Sequence, residues 1–168
     1  MKKIIFTGPE STGKTTICQE MADYFQCPWV SEFAREYLQE IDRPYKEEDL
    51  LAIAKGQWER EEKIRELNGP FLFCDTSMLV IKIWSNHKYG KCHPWINNKL
   101  EQEIPTLYFL CSPDFPWDPD PMREHPLIRN QLFDLYESEL KKLGFSYHIL
   151  AGNNAKRSAE VVEILSAF

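Results

Sequence analysis

The chain has 168 residues, 43% hydrophobic and 27% charged, a balance that fits one globular domain with a substantial core. Its formal net charge of −6 weighs against a nucleic-acid partner, which would need a basic surface, but not against one anion held locally. No apolar run approaches the ~20 residues of a bilayer span and no signal sequence precedes the first apolar segment, so no membrane partner is expected. Five scattered cysteines without a C-x-x-C pair fit a reduced, cytoplasmic setting.

In chain order, the first expected element is a strand over Lys3–Thr7, followed by Gly8-Pro9-Glu10-Ser11-Thr12-Gly13-Lys14-Thr15 and a helix over Lys14–Phe25. The octet matches G-x-x-x-x-G-K-[ST], a phosphate-binding loop, in the strand-to-helix context that motif requires. Two glycines let backbone N–H groups wrap an anion, and the helix directs its positive end to the same place. ATP is the expected ligand, held by Gly8, Glu10, Ser11, Thr12, Gly13, Lys14, Thr15 and Thr16. Lys14 reaches the terminal phosphates and the Thr15 hydroxyl holds Mg²⁺. The plainer alternative is a glycine-rich turn.

A second strand is expected over Pro28–Val30, and Glu32 and Arg35 follow it. A carboxylate there can take the proton of an acceptor hydroxyl, and Arg35 can hold a substrate phosphate or pair with an acid. Equally, both suit the exposed side of a helix. A helix is expected over about Glu47–Leu67 and a strand over Phe71–Cys74, which ends at Asp75. Asp75 stands where a Walker B aspartate would, to order Mg²⁺ through water or hold the acceptor; alternatively Asp75-Thr76-Ser77 caps a helix. Met78–Trp84 suits either element and is taken as helix because a cap-like sequence precedes it.

Between Trp84 and Trp95, the residues Trp84, Tyr89, His93 and Trp95 alternate with hydrogen-bonding groups that can sandwich a flat heterocycle and bind its ribose, though aromatics more often build cores. His87, Cys92 and His93 lack the fourth spaced partner of a metal site. A strand over Thr106–Cys111 leads into a proline-rich stretch, Pro113, Pro116, Pro119, Pro121 and Pro126, that excludes regular helix. Residues at about 112–126 read as an exposed loop or as a lid that brings Arg123, with Arg129, over the triphosphate, excluding water and offsetting developing charge. Leu127–Leu143 has helical apolar spacing, Ser146–Leu150 reads as a strand and Ala155–Leu165 as a helix. Asn153 lines an adenine pocket or simply caps that last helix. Alternating strands and helices imply an α/β fold, with a five-stranded, mostly parallel sheet and ligands beyond the carboxyl ends of its strands. Phosphoryl transfer asks mainly for positioning and charge stabilisation, which Lys14, Glu32, Asp75 and Arg123 can supply.

Taken together, these motifs resemble the ribosylnicotinamide kinase domain of NadR-type NAD-biosynthesis proteins, over nearly the whole chain. The matching residues are the Gly8–Thr15 loop, Glu32-Phe33-Ala34-Arg35-Glu36-Tyr37, Asp75-Thr76, Tyr89-Gly90-Lys91-x-His93-Pro94-Trp95, and Trp117 followed by Asp120-x-x-Arg123. The resemblance implies a P-loop kinase fold that passes the γ-phosphate of ATP to the 5′-hydroxyl of nicotinamide riboside, giving nicotinamide mononucleotide. A pyridinium substrate suits an acidic, aromatic-rich chain. Pro121 stands where relatives usually carry a glycine before the lid arginine, a departure that bears on lid geometry. No H-x-G-H adenylyltransferase motif is present, so a free-standing kinase without repressor or adenylyltransferase activity is expected.

Two other readings remain. Deoxynucleoside kinases also place a glutamate after the second strand, but commonly follow the third with an acidic-Arg-Ser triplet, where this chain has Asp75-Thr76-Ser77. A nucleotide-gated binding module often carries an N/T-K-x-D motif. Asn98-Lys99-Leu100-Glu101 ends in the wrong acid and precedes the fourth strand.

Overall fold

A computed structural model describes residues 1–67, 69–103, 105 and 107–168. Five strands, β1 (Lys2–Thr7), β2 (Trp29–Val30), β3 (Phe71–Asp75), β4 (Leu107–Cys111) and β5 (Tyr147–Leu150), pair in parallel in the order β2-β3-β1-β4-β5. Seven helices lie among the described residues: α1 (Lys14–Phe25), α2 (Phe33–Glu40), α3 (Glu47–Arg65), α4 (Met78–Tyr89), α5 (Pro94–Gln102), α6 (Arg129–Leu143) and α7 (Asn154–Ser166). This is the expected α/β architecture.

The central strands read as near-continuous apolar runs because both faces of the sheet are covered. Ile4, Phe6, Phe71, Phe73 and Phe109 face Ile17 and Met21 of α1 and Val161 and Leu165 of α7. On the opposite face, Ile5, Leu72, Cys74, Tyr108 and Leu110 pack on Leu50 and Ile53 of α3, Leu79 of α4, Ile96 of α5 and Leu140 of α6.

The helices depart from the sequence reading in extent and number, while strand bounds shift by a residue at most. The third helix ends at Arg65, and the apolar run at Met78 continues as helix to Tyr89, where Gly90 stops it in the left-handed region (φ 68°). The helix after the proline-rich stretch starts at Arg129 and not at Leu127. Glu32-to-Tyr37 leads a true helix, α2, and α5 follows Pro94. Thr106, the expected start of the fourth strand, lies outside the described residues. No helix among those residues is long and apolar enough to cross a membrane.

Strand order and register place the site. The chain leaves β1 toward β2 and later crosses back over β1 to reach β4, so a crevice opens at the carboxyl ends of β1 and β3. Phe6 is level with Asp75, and Val30 with Cys74. The loop after β1, the Glu32 turn and Asp75 therefore come to one edge, opposite the helix-free residues 112–128.

Candidate active site

The loop after β1 is shaped by close approach. Gly8 has φ 132°, and a Cβ there would stand 2.7 Å from the Cys111 carbonyl oxygen, so only glycine lets β1 and β4 converge at this point. The Thr12 hydroxyl and Lys14 Nζ both donate to the Pro9 carbonyl, at 2.9 Å and 2.7 Å, which folds the loop over itself. Gly13 is the N-cap of α1, no side chain caps that end, and no acid occupies its first turn. The leading N–H groups of α1 and its dipole are thus left for an anion.

Beneath the loop, Thr15 donates its hydroxyl to Asp75 Oδ2 at 2.6 Å. Asp75 is 1% exposed, and its Oδ1 is buried without a hydrogen-bond partner. Burial raises the Asp75 pKa, against the opposing pull of Thr15, Lys14 and Arg35. An orphaned buried carboxylate oxygen beside a hydroxyl suits Mg²⁺, which takes one or two protein oxygens and completes its shell with phosphate and water. Among the described residues no group of three His, Cys, Asp or Glu forms a metal cage. Thr76, next in sequence, holds φ 76° although β-branched, and a left-handed backbone of that kind costs ~1–3 kcal/mol and concentrates at functional sites.

Glu32 is partly buried at the N-cap of α2. Burial raises its pKa, as do the negative charges of Asp75 and Glu10, while Lys14 and Arg35 pull it down. Glu32 and Lys14 both line a cleft of about 220 Å³. The phosphate loop, Glu32, Arg35, Trp84 and Arg123 line that cleft, and its apolar side is made by Leu38, Val80, Ile83, Leu132 and Tyr136.

Residues 112–128 are tied to the loop by hydrogen bonds that sequence reading did not foresee. Glu10 accepts the amides of Glu124 (3.1 Å) and His125 (3.0 Å), and the Ser11 hydroxyl accepts that of Asp118 (2.9 Å). Arg129 donates to the carbonyls of Ser11 (3.1 Å) and Phe115 (2.9 Å). Arg35 reaches across from α2 to Asp120 at 2.9 Å. Arg123 borders the cleft and is held by the Asp118 carbonyl and, at 2.8 Å, its carboxylate.

The structure therefore brings together Gly8, Glu10, Ser11, Thr12, Gly13, Lys14, Thr15, Thr16, Glu32, Arg35, Trp84 and Arg123 around the cleft, with Asp75 behind Thr15. Tyr89, His93 and Trp95 are not among its lining residues. Five residues along a helix turn Tyr89 well away from Trp84, and Gly90 then redirects the chain. His93 caps α5 by accepting the Trp95 amide at 3.1 Å, and the Trp95 ring packs on the core. Asn153 caps α7, accepting the Lys156 amide at 3.0 Å.

Sequence reasoning missed Tyr136, which lines the cleft, and Arg157, which braces the loop from behind. Arg157 has no exposed surface, donates to the Thr12 carbonyl (2.7 Å) and the Ser112 carbonyl (2.8 Å), and lies 4.5 Å from the Phe115 ring. Its signal was available: Arg157 precedes Val161 and Leu165 at spacings of four, on the buried stripe of α7.

A family model described as an AAA domain matches residues 3–157. The chain belongs to that family. It is 22% identical over 129 residues to the trifunctional NAD biosynthesis/regulator protein NadR of Salmonella typhimurium, covering 73% of this chain and 31% of that protein. A crystal structure of NadR protein in complex with NR superposes with TM-score 0.81 at 19% identity, over 99% of this chain and 50% of the other. Thymidylate kinase from Ehrlichia chaffeensis gives TM-score 0.70 at 16% identity, over 98% of both chains. The chain thus spans about a third of the curated relative it matches. These likenesses bear out the NadR-type kinase-domain resemblance and the P-loop kinase fold.

Proposed function

We propose that this chain is an ATP-dependent kinase of a small nucleoside, with nicotinamide riboside as the acceptor and nicotinamide mononucleotide as the product. One observation carries the reading: the phosphate loop and Glu32 line a single cleft, with Asp75 held behind Thr15, and the rest of its wall mixes apolar and aromatic side chains with Arg35, Arg123 and Glu124. Loop amides and Lys14 hold the β- and γ-phosphates, and Arg123 adds positive charge from the lid side. Thr15 and Asp75 would hold Mg²⁺, which when bound offsets phosphate charge.

Glu32 accepts the proton of the 5′-hydroxyl as that oxygen bonds to the γ-phosphorus and the bond from that phosphorus to the β-phosphate oxygen breaks, releasing ADP. Burial of Glu32 moves its pKa up toward neutrality, the direction that improves a general base. The lid ties from Glu10, Ser11 and Arg129 keep residues 112–128 over the loop, so water has less access as a competing acceptor. Glu10, Glu32 and Glu124 line the same cleft as Trp84 and Tyr136; with Lys14 and Arg123 engaged by the triphosphate and Arg35 paired with Asp120, these acids and rings suit a cationic heterocycle.

The test is a panel of nicotinamide riboside and common nucleosides with Mg²⁺ and ATP, scored for phosphorylated product by mass. Preferential formation of nicotinamide mononucleotide is expected; equal turnover of a common deoxynucleoside overturns the acceptor assignment, and absence of any product overturns the kinase reading.

A further inference from the structure

Glu32 stands at the N-cap of α2 with an extended backbone (φ −63°, ψ 115°), yet its side chain makes no cap hydrogen bond. The first free amide of that helix, that of Phe33, is met from another helix: Gln57 Oε1 of α3 accepts it at 2.8 Å. The Phe33 ring is held at the same place, since Gly56 leaves room for it against α3 and the Arg60 guanidinium lies 4.9 Å from its centre.

Gln57 is itself fixed by a chain of buried polar groups. Its Nε2 donates to Glu61 Oε1 at 3.4 Å, Glu61 Oε2 accepts Lys3 Nζ at 2.6 Å, and Lys3 also donates to Glu103. Glu103 accepts the Tyr108 hydroxyl at 3.3 Å, and that hydroxyl lies 3.3 Å from Ser77 Oγ, which caps α4 two residues after Asp75. Lys3, Gln57, Glu61, Ser77, Glu103 and Tyr108 are all at most 4% exposed. An ion triad in such a place contributes little net stability, because the desolvation of its charges offsets their attraction. What it does supply is orientation: with Glu61 accepting, the amide oxygen of Gln57 must face Phe33.

We propose that Gln57 is a positioning residue for Glu32, its amide orientation set by the Lys3–Glu61–Glu103 triad, so that one buried chain holds both acid-bearing turns. Gln57 pins the peptide that joins Glu32 to Phe33, and with it the backbone from which the Glu32 side chain meets the cleft. The catalytic consequence rests on the kinase reading above; the positioning itself does not.

The experiment pairs a spectroscopic readout with kinetics in Gln57→Met. With side-chain ¹³C-labelled glutamate, and the Glu32 signal assigned through Glu32→Gln, the Glu32 carboxyl in Gln57→Met is expected to titrate at lower pH than in the parent, because the released peptide lets it leave the buried setting that raises its pKa. In turnover, Gln57→Met is expected to lower kcat about tenfold or more with KM for ATP unchanged, as displacement of a reacting group does. It should cost nothing further in a Glu32→Gln background. An unchanged Glu32 titration in Gln57→Met, or additive losses in the double variant, overturns the proposal. Should Gln57→Met fail to fold, Glu61→Met removes the acceptor that fixes the Gln57 amide and must lower the Glu32 titration; no change there overturns it equally. A parent protein without turnover refutes the kinase reading, while the titration still decides the positioning.

Discussion

Replacing Arg157 by methionine tests how the phosphate loop is held from behind. The guanidinium donates to the Thr12 carbonyl at 2.7 Å, to the Ser112 carbonyl at 2.8 Å and to Asp114 Oδ2 at 3.3 Å. Methionine fills most of the volume but leaves the buried Thr12 carbonyl without a partner, at a cost of about 1–3 kcal/mol. Water can reach the partly exposed Ser112 turn, and the Asp114 side chain is 38% exposed, so each of those losses is held to about 1 kcal/mol or less. Opposing them, Arg157 Nε is buried without a partner, and removing a desolvated cation of that kind returns some stability. A net loss of about 2 kcal/mol follows, which for a chain of this length lowers Tm by about 4–8 °C. Because Thr12 lies inside the loop, ATP affinity should fall with it. Urea unfolding and calorimetric titration of ATP measure the two together. A variant of parent stability that binds ATP as tightly would refute the reasoning.

Lys14→Ala is expected to lower phosphoryl transfer on the order of 10²–10³-fold, measured by single-turnover product formation, since one preorganised cation is lost from the phosphate site. Gly8→Ala forces a Cβ to 2.7 Å from the Cys111 carbonyl oxygen at φ 132°, so loss of ATP binding with a lowered Tm is expected, read by calorimetry and thermal melting. Glu32→Gln should slow the chemical step while leaving ATP affinity near the parent value; collapse of affinity with intact chemistry would remove Glu32 as the base. Since folding raises the Glu32 pKa, the stability tied to its proton is whole below the unfolded-state value of about 4.3 and is lost as pH rises through the folded one. Glu32→Gln should therefore be more stable than the parent at neutral pH, and the acid limb of kcat/KM should vanish with it.

Every strand and the longer helices were legible because their signals are local: apolar runs bounded by turns for β1, β3 and β4, and helical apolar spacing for α6. The phosphate loop was legible for the same reason, since its backbone geometry and chemistry are written in eight consecutive residues. Trp84 and Tyr89 show where such reasoning ends. Five positions apart in one chemically similar segment, they part company because α4 runs on to Gly90, leaving Trp84 on the cleft and Tyr89 off it.

What local sequence determined about this protein, then, was an α/β chain with a phosphate loop and two acids at strand ends. The tertiary structure alone decided which distant groups serve that loop. Glu10 accepts the amides of Glu124 and His125, more than a hundred residues away, Arg157 reaches back to Thr12, and Gln57 meets the amide beside Glu32. Such pairings depend on the parallel register and on helices crossing the sheet, which bring together groups whose separation along the chain carries no periodic trace.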